Sequence, residues 1–149
     1  MTWETTVTLR HGEQRYTDLL AAIRADRALV TAMWADAESR PGELDVPGTH
    51  WTVTVLEDGT PAAWCAARVQ DDGVIKCHSN YEVRAHRGCG LYEAAFHGRH
   101  HDVILAYKLP AVTYLFAQPI ALHAAKGWQR TGLVGVSGSG HRWWELRRH

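Results

Sequence analysis

Polar and apolar side chains alternate from Thr5 to Leu9, the period of two expected of a strand with one face on a core, and Gly12 ends the run. Leu19, Ile23, Val30, Met33, Trp34 and Ala37 then recur at intervals of three, four and seven, which predicts a core-facing helical stripe carried by two helices hinged near Asp26. Ser39 to Gly48, with Pro41, Gly42, Pro47 and Gly48, reads as a connector. Trp51 to Leu56 alternates again, Asp58-Gly59 gives a hairpin signal, and Pro61 to Val69 returns as a neighbouring strand. Asp71-Asp72-Gly73 repeats the device before a strand over Val74 to Val83, so three antiparallel strands precede a helix predicted from Tyr92 to His101. Pro110 forces its predecessor out of the helical region and marks the connector to a buried strand, Val112 to Ala117, after which Pro119 opens a short helix. Leu133 to Ser137 and His141 to Leu146, around Gly138-Ser139-Gly140, predict a closing hairpin. The expected fold class is α+β, or mixed α/β, with a central and mostly antiparallel sheet.

Composition narrows the classes. The 149 residues suit one domain, residues 1–149, and the 46% apolar content with seven Trp is that of a chain that folds. Sixteen basic side chains balance sixteen acidic ones, so no broad positive field exists to hold a phosphate backbone, and nucleic acid is not the expected partner. Cys65, Cys77 and Cys89 are odd in number and not closely paired, and no apolar run reaches the roughly 20 residues of a membrane span. A cytoplasmic protein that neither crosses nor anchors to a membrane is the expectation.

The chemistry concentrates at Arg87-Gly88-Cys89-Gly90-Leu91-Tyr92, which follows a strand pattern and opens a helical one. Glycines there let the backbone approach a ligand, while the free amides and the positive dipole end of a helix's first turn attract an anion. A second landmark, Leu122-His123-Ala124-Ala125-Lys126-Gly127-Trp128, follows the next strand. The order strand, Arg-Gly-x-Gly-Leu, helix, strand, short helix, Lys-Gly-aromatic resembles the GNAT superfamily of acyl-CoA-dependent N-acyltransferases, well over residues 50–146 and only in element order before them.

That resemblance implies a sheet splayed between the strands that flank the glycine-loop helix, helices on both faces, and acyl-CoA seated in the opening. Backbone groups near Val83 would pair with the pantetheine arm, and the amides of Arg87, Gly88, Cys89, Gly90, Leu91 and Tyr92 would hold the pyrophosphate, without a metal. Arg87 and Gly90 fit the family's Arg/Gln-x-x-Gly-x-Gly/Ala pattern, whereas Tyr92 departs from it. A second register, Ala85, Gly88 and Gly90, keeps both glycines but loses the basic residue. His123 stands where the family often has a tyrosine that reprotonates the departing thiolate, and imidazole can serve as that acid at neutral pH. A base for the acceptor ammonium is expected on the strand before the loop. There Glu82 is the first choice and His78 the reserve, an even number apart and so able to share a face. Aromatic residues of the elements that surround the family's acceptor pocket are Trp34, Trp51, Trp64 and Tyr81, of which Trp34 and Tyr81 are the candidate substrate contacts.

The implied function is transfer of an acetyl or related acyl group from CoA to a small-molecule amine by direct attack in a ternary complex. Rival readings are an acyl-CoA decarboxylase or hydrolase on the same fold, a non-catalytic acyl-CoA-binding module, and a toxin that acylates aminoacyl-tRNA. His97, His100 and His101 have helical metal-ligand spacing but no acidic or Cys partner, and Cys89 reads as small filler between glycines. Trp143 and Trp144 point to opposite faces of the last strand, so at least one is expected to be exposed or at an interface, and either could seed a homodimer.

Overall fold

The structure is a computed structural model that describes residues 4–115, 120–138, 140 and 142–149; at 120 and 133 it describes the backbone alone. Phe116, Ala117, Pro119, Ser139 and His141, which carry parts of the expected strand, helix start and hairpin, lie outside the described residues. In chain order the elements are β1 (Glu4–Arg10), α1 (Gln14–Ala25), α2 (Arg27–Ala37), β2 (Thr49–Leu56), β3 (Pro61–Val69), β4 (Ile75–Glu82), α3 (Leu91–Arg99), α4 (Leu105–Tyr107), β5 (Ala111–Leu115), α5 (Ile120–Ala124), β6 (Gln129–Val136) and β7 (Arg142–Arg148). A 3-10 turn, Pro41–Leu44, follows α2, and a wide π turn, His100–Ile104, joins α3 to α4. Among the described residues no helix is long and apolar enough to cross a membrane.

The seven strands form one sheet in the order β1-β2-β3-β4-β5-β7-β6. Every neighbouring pair is antiparallel except β4 and β5, which run parallel because α3 returns the chain across the sheet between them. Alternation along β2 assigns its two faces. Trp51, Val53 and Val55 join Tyr16, Leu19, Leu20, Ile23 and Met33 in a cluster beneath α1 and α2. Thr52 and Thr54 face α3, where the Thr54 hydroxyl donates to the Leu91 carbonyl at 3.1 Å. α3 lies so close to β2 that a Cβ on Gly98 would stand 2.9 Å from the Thr52 methyl. Glycine at this position is therefore a packing requirement rather than a helix-breaking accident.

The hinge near Asp26 is as the periodicity predicts: the Asp26 carboxylate accepts from the Leu29 amide at 3.1 Å and caps α2. One part of the hydrophobic reading needs correction. Trp34 does not join the core stripe; it is 48% exposed and lies under the Arg40 guanidinium at 4.5 Å. Trp143 and Trp144 are both half-buried: Trp143 faces the cleft described below, and Trp144 packs on the cluster around Ile75, Cys77, Val103 and Leu146.

Candidate active site

The parallel pairing of β4 and β5 is short: Ile75, Lys76 and Cys77 match Ala111, Val112 and Thr113, and the strands part beyond them. A bulge on β4 accompanies the parting. The register with β3 jumps from Ala66↔His78 to Trp64↔Tyr81, so Ser79 and Asn80 together oppose Cys65, and Ser79 takes a left-handed φ of 56°. An extra residue bends its strand and resets the alternation. The parting leaves a cleft of about 910 Å³ whose walls include β4, the end of α2, Tyr92 and Tyr114.

The bulge decides which side chains share a face. Tyr81 packs beneath α1 and α2 with Trp64, whereas Asn80 and Glu82 turn to α3. His78, paired with Ala66 of the α1–α2 cluster, lies on the Tyr81 side. The even spacing of His78 and Glu82 therefore does not place them together, because simple alternation fails across an inserted residue.

On the α3 side, Gly88 and Gly90 adopt φ of 81° and 78°, and no heavy atom outside their immediate neighbours lies within 4 Å of where a Cβ would sit. The loop thus presents bare backbone at the start of α3, with Cys89 exposed. An anion already stands there: Glu82 Oε2 accepts from the Tyr92 amide at 3.2 Å. Arg87 turns away from the loop. Its Nη2 donates to Asp36 at 2.7 Å and to the Glu82 carbonyl at 3.2 Å. Asp36 also accepts from Arg84 and from the Tyr81 hydroxyl, and these partners, Arg84 first, hold its carboxyl well below the usual range. Val83 spends its N–H on the Ala62 carbonyl, and its own carbonyl already accepts from the His86 amide.

On the opposite side, the Ser79 hydroxyl donates to Glu43 Oε2 at 3.4 Å and lies 2.8 Å from His78 Nδ1. The serine proton goes to the carboxylate, so Nδ1 is the donor to Ser79 and the neutral ring presents a lone pair on Nε2. Burial first, then the charges of Arg99, Lys76 and Arg68, push the His78 pKa down to about 4. The imidazole is consequently unprotonated at neutral pH. Asp36, Glu38 and Glu43 line this wall of the cleft.

His123 is fully buried, with its ring 4.6 Å from that of Phe96 and edge-on to Trp128 at 5.3 Å. Its Nε2 lies 3.3 Å from Arg99 Nη2, and because guanidinium only donates, Nε2 is the acceptor. His123 does not line the cleft, and neither does Trp34; Tyr81, Glu82, Arg87 and Tyr92 do. Trp51 and Trp64 are core residues, and among the described residues their indole N–H groups have no partner. The described residues contain no group of three side chains able to hold a metal.

Glu43, Ser79, Asn80 and Arg99 are absent from the sequence-based site. Nothing in the local pattern announces the bulge that unites Glu43, Ser79 and His78. Arg99 did leave a readable mark, since it extends the buried stripe Leu91, Ala95, Phe96 of α3.

No family model and no curated protein matches the chain. Solved structures do: an acyl-CoA N-acyltransferase from Pseudomonas aeruginosa is 18% identical, with a TM-score of 0.71, 99% of this chain and 100% of that one being covered. The fold is that of the GNAT acyltransferases. Ribosomal-protein-S18-alanine N-acetyltransferase from Escherichia coli matches this GNAT fold with a TM-score of 0.71 at 14% identity over 98% of this chain and 93% of that one. Nourseothricin acetyltransferase matches over 68% of this chain and 65% of its own, with a TM-score of 0.52 at 17% identity. The same fold thus occurs in proteins whose names state different acceptors.

Proposed function

We propose that the protein is an acyl-CoA-dependent N-acyltransferase that moves an acyl group, acetyl in the simplest case, to a small-molecule amine within a ternary complex. The observation that carries this reading is the parting of β4 from β5 beside the anion-attracting start of α3, on a fold shared with acyl-CoA N-acyltransferases. In this reading the amides of Arg87, Gly88, Cys89, Gly90, Leu91 and Tyr92 hold the diphosphate, and Glu82 stands in for a phosphate oxygen until acyl-CoA arrives. The β5-facing edge of β4 beyond Cys77 takes the pantetheine arm, with Val83 closing its end through the second lone pair of its carbonyl.

The acceptor enters from the other wall. Glu43 favours a cationic amine there, and Tyr81 contributes an aromatic surface. Because Glu82 turns to α3, we assign removal of the ammonium proton to His78 Nε2, held in its productive tautomer by Ser79 and Glu43. The amine lone pair so released attacks the thioester carbonyl, the C–N bond forms, and the C–S bond breaks. His123 belongs to the leaving-group side, behind Arg99.

Calorimetric titration with CoA, followed by a panel of amines with acetyl-CoA and a free-thiol readout, tests the proposal. Micromolar CoA binding and amine-dependent thiol release are expected. An absence of CoA binding, or thiol release without any amine, would overturn it, the latter in favour of hydrolysis.

A further inference from the structure

Arg99 occupies a core position on the buried side of α3 and is 1% exposed. Its Nη1 donates to the Ala66 carbonyl at 3.3 Å and to Asn80 Oδ1 at 2.9 Å, and its Nη2 to His123 Nε2. All three acceptors are neutral, and among the described residues Arg99 has no carboxylate partner. Removing a cation from water costs several kcal/mol unless an anion compensates. The titratable groups acting on it are the Cys65 and Cys77 thiols and the Tyr92 phenol, each raised by burial, Cys65 to about 11, and so uncharged. The resting protein therefore keeps an unneutralised positive charge one side chain away from the cleft.

Two side chains carry that charge to the cleft. Asn80 accepts from Arg99 through Oδ1, so its Nδ2 points the other way with two N–H donors, and Asn80 lines the cleft. Tyr92 also lines the cleft; its hydroxyl oxygen is buried with no hydrogen-bond partner among the described residues, and the Arg99 charge acts on it. A buried hydroxyl left unpaired is the mark of a place where a ligand atom belongs. The ensemble supplies donors and positive potential. The remaining titratable groups nearby are His78 across β4, His123 on α5 and Glu82, whose carboxylate is engaged with the Tyr92 amide.

We propose that Asn80 Nδ2 and the Tyr92 hydroxyl, backed by the buried Arg99 guanidinium, form a subsite for the thiolate sulfur of CoA. This rests on the acyl-CoA reading and deepens it. When the amine nitrogen has bonded to the carbonyl carbon and the C–S bond breaks, the electron pair leaves on sulfur. Donors held beside the cleft stabilise that anion, so CoA departs as a thiolate and needs no proton from His123. Arg99 is the positioning residue, acting through Asn80 and Tyr92.

The test compares the affinities of CoA and desulfo-CoA across pH by calorimetry. If the site prefers thiolate, the affinity ratio rises about fivefold as pH climbs from 7 to the pKa of the free thiol and approaches about tenfold above it, as a bound thiol pKa lowered by about one unit requires. Tyr92→Phe removes a hydroxyl that no described residue holds and should leave the fold intact while reducing this rise. Arg99→Met should abolish it, and Arg99→Lys should restore part. A ratio that stays flat with pH in the parent protein, or a rise unchanged in Tyr92→Phe and Asn80→Ala, overturns the proposal even though CoA binds. If neither ligand binds the parent protein, the acyl-CoA reading fails and the subsite with it.

Discussion

Replacing Glu82 by Gln separates two roles for this carboxylate. Its Oε2 accepts from the Tyr92 amide at 3.2 Å, at the positive end of α3. A carboxylate at a helix N-terminus contributes about 0.3–1 kcal/mol. Loss of that charge should lower Tm by about 1–4 °C in a chain of this size. The effect on CoA has the opposite sign. A diphosphate bound to the same amides brings two negative charges within about 6 Å of Glu82, and at the high effective dielectric of a half-exposed site their repulsion amounts to about 1–2 kcal/mol. Glu82→Gln should therefore tighten CoA binding about 5- to 30-fold while leaving pantetheine, which has no phosphate, unchanged. Titration calorimetry with both ligands reads the difference, and added salt should shrink it. Unchanged or weaker CoA binding would refute the reasoning. A loss of turnover of 100-fold or more with unaltered CoA affinity would instead make Glu82 the base.

Three further outcomes are expected. Since His78 is pushed down to about 4, kcat/KM should stay level from neutral pH down to about 5 and fall only near pH 4 as the ring gains a proton, whereas a fall centred near pH 6.5 would contradict the buried relay; Ser79→Ala should weaken the tautomer preference and lower kcat more than KM. Asp36→Asn should cost about 1–2 kcal/mol at neutral pH, discounted because Arg84 and Arg87 are half-exposed. As the folded Asp36 pKa is depressed, its contribution is complete above the unfolded carboxylate value near ~3.9 and fades as pH falls below it, so denaturant midpoints of the two proteins should converge in acid. Cys89 is exposed and Cys65 and Cys77 are buried, so a thiol reagent should label one cysteine in the folded protein and three after unfolding, with CoA slowing the first reaction.

How much was legible depended on the range of the interaction. The β3 strand runs from Pro61 to Val69 and the α1–α2 hinge falls at Asp26, both where periodicity and capping chemistry put them, because a hairpin turn or a helix cap is decided within a few residues. The glycine loop was readable for the same reason: positive φ at Gly88 and Gly90 is a local demand. Arg87 and Glu82 were visible as polar residues beside that loop, but not their partners, since Asp36 and Arg87 lie 51 positions apart in the chain. Trp34 satisfied a helical period and still faces solvent, because periodicity names a stripe and not the width of the surface that covers it.

The sequence by itself determined the order of elements, the antiparallel bias of the sheet and the bare backbone at the start of α3, all consequences of steric and capping rules acting over short spans. Only the tertiary structure decided which side chains face one another across the cleft. One inserted residue at Ser79 turns Asn80 and Glu82 to α3 and leaves His78 and Tyr81 toward α2, and one arginine on a helix stripe becomes a buried charge beneath the opening. Both depend on strand register and on burial, which are set by the packing of distant segments and leave no signature in the local alternation of polar and apolar residues.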